Sequence, residues 1–444
     1  MDCEPSNRAL AERQGESSSA EELRANFRWF SLQFAVNHGV VTTPLVIATS
    51  HLSQHAGFIG NALLNIFTML SALLFAVPLI SMLGVKRTVV LGMSLYCLYV
   101  VLFACAALAG KEAVHTQLVL FSIGSCCGGA AAGMLWTAQG SYFARTVTLL
   151  SLKEGTDRAQ LSSSLAGVFA ALYLSLEVAS KLAWAAMDAF DISSFVTSGL
   201  FLVVGIVSTL LMRRVLPLGG CAGASAGSSP LSQIQAVAAL WSDPSLWLLS
   251  GLNLTFGFSA AFINGYVNAQ FTAKQVGPWA VPMFAACTSL VAAILAKFFG
   301  VVGMRTGKGF LLFVGAVSFF CIPSSFFALN RCGGWKGWLI VLYFLQGAGR
   351  AVYESTSKGI FADFFPDASA SAFANCMLQS ASSFATCFFL SSLLTGPVLA
   401  QIAMVLSSLT PLGFLGAVTL RHLAEKRREM QETFSPDDEK ALGS

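Results

Sequence analysis

The sequence predicts an all-α integral membrane protein whose twelve transmembrane helices fall into two halves of six. Three observations carry that prediction. Hydrophobic residues make up 55% of the 444-residue chain and charged residues only 11%, about half the charged share of a soluble globular domain. So little polar surface cannot solvate a water-facing shell, and bilayer must cover the rest. Apolar runs of about 20 residues, long enough to cross a hydrocarbon core of about 30 Å, recur along the chain. Finally, a Gly/Ala/Ser-rich stretch from Leu218 to Pro230 has a linker's composition and divides these runs six and six.

The predicted spans cover residues 28–49, 57–83, 88–109, 117–144, 161–184, 192–212, 245–271, 279–301, 309–329, 337–357, 370–394 and 397–420. The narrowest break, Thr395-Gly396-Pro397, separates spans 11 and 12. An even number of spans puts both termini on one side. On that side lie 19 Lys and Arg residues, against five on the opposite side, so the positive-inside rule places the termini in the cytoplasm. The resulting organisation is a cytoplasmic tail (1–26), an N-terminal six-helix half (27–215), a cytoplasmic linker (216–242), a C-terminal six-helix half (243–422) and a second tail (423–444). Residues 1–26 are charged throughout and lack an apolar run, so they do not read as a signal peptide; the first span itself directs insertion. An offset of 219 residues sets Gly128 on Gly347, Gly140 on Gly359 and Tyr142 opposite Phe361, a faint echo of a duplicated unit.

Composition also excludes several function classes. The net charge of +4 is small and resides in loops, which gives no footprint for nucleic acid. Most of the eleven cysteines, among them Cys97, Cys126, Cys127 and Cys387, lie within or at the ends of apolar runs, as small fillers in helix packing. No CxxC or Cys/His spacing suggests a metal, and no cofactor is expected. Neither a phosphate-binding loop nor a zinc-protease or serine-hydrolase motif occurs, and the five histidines are scattered, so the chain does not read as an enzyme. The sequon Asn253-Leu254-Thr255 falls inside span 7, beyond the reach of glycosylation.

Polar residues within the spans are more informative, because in lipid they face protein or a water-filled cavity. In span 10, Gln346, Arg350, Glu354 and Lys358 recur every four residues and form one stripe. That stripe is either a substrate or proton-coupling face, with Arg350 the deepest group, or an ion-pair ladder clamping the cytoplasmic ends of the halves. In span 5, Tyr173, Glu177 and Lys181 repeat the pattern, and Glu177 precedes Lys181 at i,i+4 in the favourable orientation. Here a structural pair in the outer leaflet competes with a cavity role. Asn37 and His38 fall about 13–15 Å beyond Arg28 along span 1, near the midplane. The imidazole is either a packing residue or a cavity group able to change its charge near neutral pH. Asn253 in span 7 and Gln379 in span 11, with Asn61, Asn65, Asn264 and Asn375, are cavity candidates or interhelical glue.

Span 4 contains Gly124, Gly128, Gly129 and Gly133, two offset GxxxG patterns that leave almost no side chain on the helix. Close packing is the simple reading, and a sliding surface for alternating access is the other. Trp136 and Gln139 follow near the cytoplasmic end and complete the candidate cavity set.

The end of span 4, Gly133-Met134-Leu135-Trp136-Thr137-Ala138-Gln139-Gly140-Ser141-Tyr142, resembles the LW-x-x-QG-x-Y signature of the uncoordinated-93-like family. Pro78 to Arg87 with Gly92 and Tyr96, Ala261 to Tyr266 with Phe271, Thr272, Val276 and Gly277, and Gly349 to Glu354 through Ala362 to Pro366 resemble other segments of it. The resemblance runs from about Asn26 into span 12. It implies a major facilitator fold with 6+6 pseudo-symmetric halves. It also implies two kinds of activity, since some family members regulate potassium channels or escort other membrane proteins. The superfamily pattern G-x-L-x-D-R-x-G-R-R after span 2 is altered here: Val77 replaces its first Gly and Ser81 its gate-latching Asp, while Lys86 and Arg87 remain as candidate gating residues beside Lys358.

Two functions therefore stand open from sequence. One is a secondary transporter that rocks its halves about a central cavity to move a small solute or ion. The other is a non-transporting regulator or trafficking chaperone that binds a partner membrane protein, such as an ion channel. Solvent-accessible charges in a central cavity favour the first, and charges locked in pairs beneath a dry interface favour the second.

Overall fold

A computed structural model describes residues 17–218, 230–328, 334–365 and 368–433. Most of the Gly/Ala/Ser linker, residues 219–229, and the distal parts of both tails lie outside them, as do Arg331 and Cys332. The described residues are predominantly helical: α1 (Ala20–His51), α2 (Gln54–Leu83), α3 (Val85–Leu108), α4 (Val114–Glu154), α5 (Arg158–Ala189) and α6 (Ser194–Met212), then a short linker helix α7 (Pro230–Ala239). The second half follows as α8 (Pro244–Gln275), α9 (Ala280–Thr306), α10 (Lys308–Ala328), α11 (Ile340–Val352, continued to Phe364), α12 (Ser369–Ser391) and α13 (Gly396–Thr433). Among the described residues ten helices are long and apolar enough to cross a membrane. The remaining predicted spans, 10 and 11, correspond to α11 and α12. The chain is a multi-pass membrane protein.

Local sequence explains where the helices start and stop. At α1, the Ser19 hydroxyl accepts from the Glu22 amide (3.1 Å) while Glu22 accepts from the Ser19 amide (2.9 Å), a reciprocal cap. This moves the start of the helix well ahead of the apolar run at 28. The extra turns are held by Arg24, whose guanidinium donates to both carboxylate oxygens of Glu154 (2.8 and 2.6 Å) at the end of α4. Both helices thus project beyond their apolar segments, which hydropathy alone does not register. Asp243 caps α8 at Ser245, with Pro244 in the first turn. The break between the last two helices falls where the sequence places it, and the tip of the Tyr266 ring lies against Gly396, where a Cβ would displace it.

Each half has its own apolar core. In the first half, α4 is the spine, and its two GxxxG patterns serve two neighbours. A Cβ at Gly124 or Gly128 would meet Leu102 or Tyr99 of α3 at 3.0 Å. A Cβ at Gly129 or Gly133 would strike the backbone of α2, at Leu64 O (2.2 Å) and Ala72 N (2.5 Å). Such spacing is close packing of α4 against both neighbours. The 219-residue echo does not keep equivalent neighbours: Gly128 faces α3, whereas Gly347 faces Thr288 and Val291 of α9.

Three helices contain π turns, at Ser71–Phe75 in α2, Ile263–Thr272 in α8 and Tyr353–Ser357 in α11. Each adds a residue to a turn and loosens the backbone ladder, a feature frequent at functional positions. All three lie in helices that face the other half or its partners. The helix ends also sort into two faces. The starts of α1 and α8 and the end of α13 share one face, called here the terminal face, and the other ends form the distal face. On the distal face the halves are bonded together: Thr49 Oγ1 donates to Asn264 O (2.8 Å), Asn268 Nδ2 to Val46 O (3.1 Å) and Gln270 Nε2 to Gln54 Oε1 (2.8 Å). At the terminal face, the ion pairs Arg24–Glu154 in the first half and Lys308–Asp363 (2.6 Å) in the second each join helices of one half.

Candidate functional site

At mid-depth the two halves share a buried cluster of charge. Glu177 and Lys181 of α5 form the i,i+4 pair that their spacing predicts, with Lys181 Nζ donating to Glu177 Oε1 at 2.5 Å. From the second half, Arg350 of α11 donates through Nη1 to Glu177 Oε1 (3.2 Å) and through Nη2 to Oε2 (3.3 Å). Ser289 of α9 sits between them. Its hydroxyl donates to Glu177 Oε1 (2.8 Å) and lies within reach of Lys181 Nζ (3.0 Å) and Arg350 Nη1 (3.2 Å). Glu177, Lys181 and Ser289 are buried. At 1.5 Å per residue, Arg350 lies about 15 Å into α11 from Ile340, close to the middle of a hydrocarbon core of about 30 Å.

The residues of the span 10 stripe have different partners. Gln346 turns toward its own half and accepts from Ser259 of α8 (2.7 Å). Arg350 crosses to the other half and also keeps the i,i+4 ion pair with Glu354, its Nε 3.8 Å from Glu354 Oε1. Glu354 is 42% exposed at its side chain, whereas Glu177 is 5% exposed. A π turn at Tyr353–Ser357 includes Glu354, and the side chain of Lys358, the third gating candidate, lies outside the described residues. Lys86 and Arg87 lie at the start of α3 on the terminal face, with Arg87 exposed.

Beside the charge cluster stands an aromatic wall. Phe34 and His38 of α1, Tyr96 of α3, Trp136 of α4, and Phe169 and Tyr173 of α5 are in mutual ring contact. Trp136 lies near-perpendicular to Phe34, His38, Phe169 and Tyr173, with centroids 5.3–6.3 Å apart. The Tyr173 hydroxyl is 3.2 Å from His38 Nε2, while His38 Nδ1 is buried without a hydrogen-bond partner. Tyr173 and Glu177 are one turn apart on α5, so the wall leads into the charge cluster. Gln139 is buried one turn beyond Trp136.

Three other candidates are engaged inside one half. Asn37 donates to Gly205 O and Thr209 Oγ1 of α6 (3.2 Å each), facing away from the second half. Asn253 donates to Gln379 Oε1 (2.7 Å) and accepts from Ser357 (3.3 Å), tying α8 to α12 and α11. Sequence reasoning passed over Ser289 and Phe169. A serine or phenylalanine within an apolar run carries no signal of its own, and only the pairing of α5 with α9 and α4 brings these two to the site.

This is the fold of the major facilitator transporters. It superposes on the solved nucleoside transporter NupG with a TM-score of 0.64 at 12% identity, covering 89% of this chain and 99% of that one. It likewise superposes on a solved peptide transporter, POT, with a TM-score of 0.65 at 14% identity, covering 92% and 98%. In sequence the chain is similar to protein unc-93 homolog A of Mus musculus, 27% identical over 175 residues. That stretch is 39% of this chain and 38% of the relative's length. The match accords with the uncoordinated-93-like resemblance read from span 4. No family model matches the chain.

Proposed function

We propose that the protein is a twelve-span secondary transporter that moves a small solute or ion by alternating access, with both termini cytoplasmic and the two six-helix halves as the rocking bodies. The observation that supports this most is the Glu177–Arg350 contact. It is a buried ion pair between the halves at mid-depth, bordered by an exposed carboxylate at Glu354. A carboxylate held between two cations can exchange partners as the halves move, and this gives the cycle two discrete arrangements. The polar ties between halves on the distal face, together with half-internal ties on the terminal face, correspond to a state closed to the outside and facing the cytoplasm. The solved nucleoside and peptide transporters of the same fold are consistent with a small organic solute as cargo.

A second reading has an observation of its own. Glu177 is satisfied by Lys181, Ser289 and Arg350 within the protein, as in a static lock. A locked protein of this fold would act as a regulator or chaperone of another membrane protein. Reconstitution into liposomes with a solute and ion screen separates the two. Uptake abolished by Arg350→Ala at normal protein abundance is the expected result; no uptake of any solute by a folded wild-type protein would support the lock.

A further inference from the structure

The aromatic wall and the exposed edge of the charge cluster at Glu354 have chemistries that belong to one ligand. Trp136, Phe169 and Tyr173 are only partly buried, so their rings offer π surface beyond the contacts they make with each other. Gly140 stands one turn from Trp136 on the same helix face. It is exposed, and a Cβ built there meets nothing within 4 Å. In a helix whose other glycines are pressed against α2 or α3, this bare position leaves room for something outside the chain. Arg350 and Glu354, one turn apart, form an ion pair at 3.8 Å, and the Glu354 side chain is 42% exposed. The Nη groups of Arg350 are held by Glu177 and Ser289, while its Nε edge faces Glu354. Tyr173 and Glu177 are one turn apart on α5 and Arg350 bonds Glu177, so the wall adjoins the charges.

We propose that Trp136, Phe169, Tyr173, Arg350 and Glu354 form a binding site for a small aromatic zwitterion, the chemistry of an aromatic amino acid. The ring lies on the wall over Gly140, the carboxylate takes the Arg350 Nε edge, and the ammonium takes Glu354. The proposal rests on the transport reading for its setting and names the class of cargo. A ring on an aromatic wall contributes about 0.5–1.5 kcal/mol beyond area burial, so a matched alicyclic analogue binds about two- to tenfold more weakly. A charge-assisted hydrogen bond is worth about 1.5–3 kcal/mol, so deleting either ligand charge costs about ten- to a hundredfold.

The test uses the purified full chain in detergent and four probes: phenylalanine, cyclohexylalanine, phenylacetate and phenethylamine. Equilibrium binding should be tightest for phenylalanine. Trp136→Ala should weaken phenylalanine about tenfold, with recovery in Trp136→Phe. Glu354→Gln should remove the preference for phenylalanine over phenylacetate. Gly140→Leu should block phenylalanine binding while leaving the melting temperature unchanged, because its side chain enters open space. Equal binding of phenylalanine and cyclohexylalanine, binding unaffected by Gly140→Leu, or no binding of any probe would overturn the site. A protein that binds phenylalanine but carries no solute into liposomes would instead overturn the transport reading and leave the site standing.

Discussion

Glu177 and Arg350, 173 positions apart in sequence and carried by opposite halves, meet at 3.2 and 3.3 Å through both carboxylate oxygens. The carboxylate has a second cation in Lys181, whereas in its buried surroundings the arginine has Glu177 as its near anion and the more exposed Glu354 beyond. The two partners are therefore not equivalent. Glu177→Gln leaves two buried cations facing each other and should cost about 3–5 kcal/mol. Arg350→Gln leaves Glu177 paired with Lys181 and should cost clearly less. Melting curves of the purified variants decide this, and equal losses would contradict the shared-carboxylate arrangement.

Span 4 yields a prediction about packing. Gly133→Ala brings a methyl to within 2.5 Å of Ala72 N and 2.6 Å of Thr68 O, backbone atoms that cannot rotate away. Overpacking of this kind costs about 1–3 kcal/mol. Gly140→Ala, in open space on the same helix, should stay within about 0.5 kcal/mol of wild type. Comparing the two melting temperatures distinguishes static packing from a sliding surface, and an unperturbed Gly133→Ala protein would restore the latter.

On the distal face, Gln54 and Gln270 touch across the halves at 2.8 Å. Cysteines at both positions should form a disulfide under mild oxidation. If this contact closes the outer gate, the oxidised protein should lose uptake and recover it on reduction. Uptake that persists in fully cross-linked protein would mean that the contact does not part during the cycle.

Topology can be read by labelling. With the protein at the surface of intact cells, an impermeant thiol reagent should modify a cysteine at Glu112, exposed on the distal face, and spare one at Glu425, exposed on the terminal face. The opposite pattern would invert the orientation that the basic residues imply.

Much of this architecture was legible in the sequence. Hydropathy set the helices, and the glycines of span 4 announced close approach to a neighbour. The same signals fail at specific places for physical reasons. The capped, charged turns of α1 around Arg24 are held by Glu154, 130 residues away. The π turn at Tyr353–Ser357 leaves no mark in composition, and the stripe by itself does not reveal that Gln346 bonds Ser259 while Arg350 reaches Glu177 across the halves. Glu177 and Arg350 were each picked out as unusual in lipid, yet periodicity relates only residues of one helix and could not say that they belong to each other. Asn37, Asn253 and Gln379 were found by the same rule, and the structure spends them on holding neighbouring helices together.

The bare faces of α4 also bear on how the protein is made. α2 and α3 leave the ribosome before the helix against whose glycines both are seated, and α2 meets that helix at backbone distance. Until Gly124 to Gly133 have entered the bilayer, the two earlier spans lack the surface that fits them and must wait as loosely associated segments. A chain stopped at Ala109 should accordingly be protease-sensitive in microsomes, and one extended to Gly155 markedly less so. The order of synthesis thus makes α4 the keystone that the first half receives late.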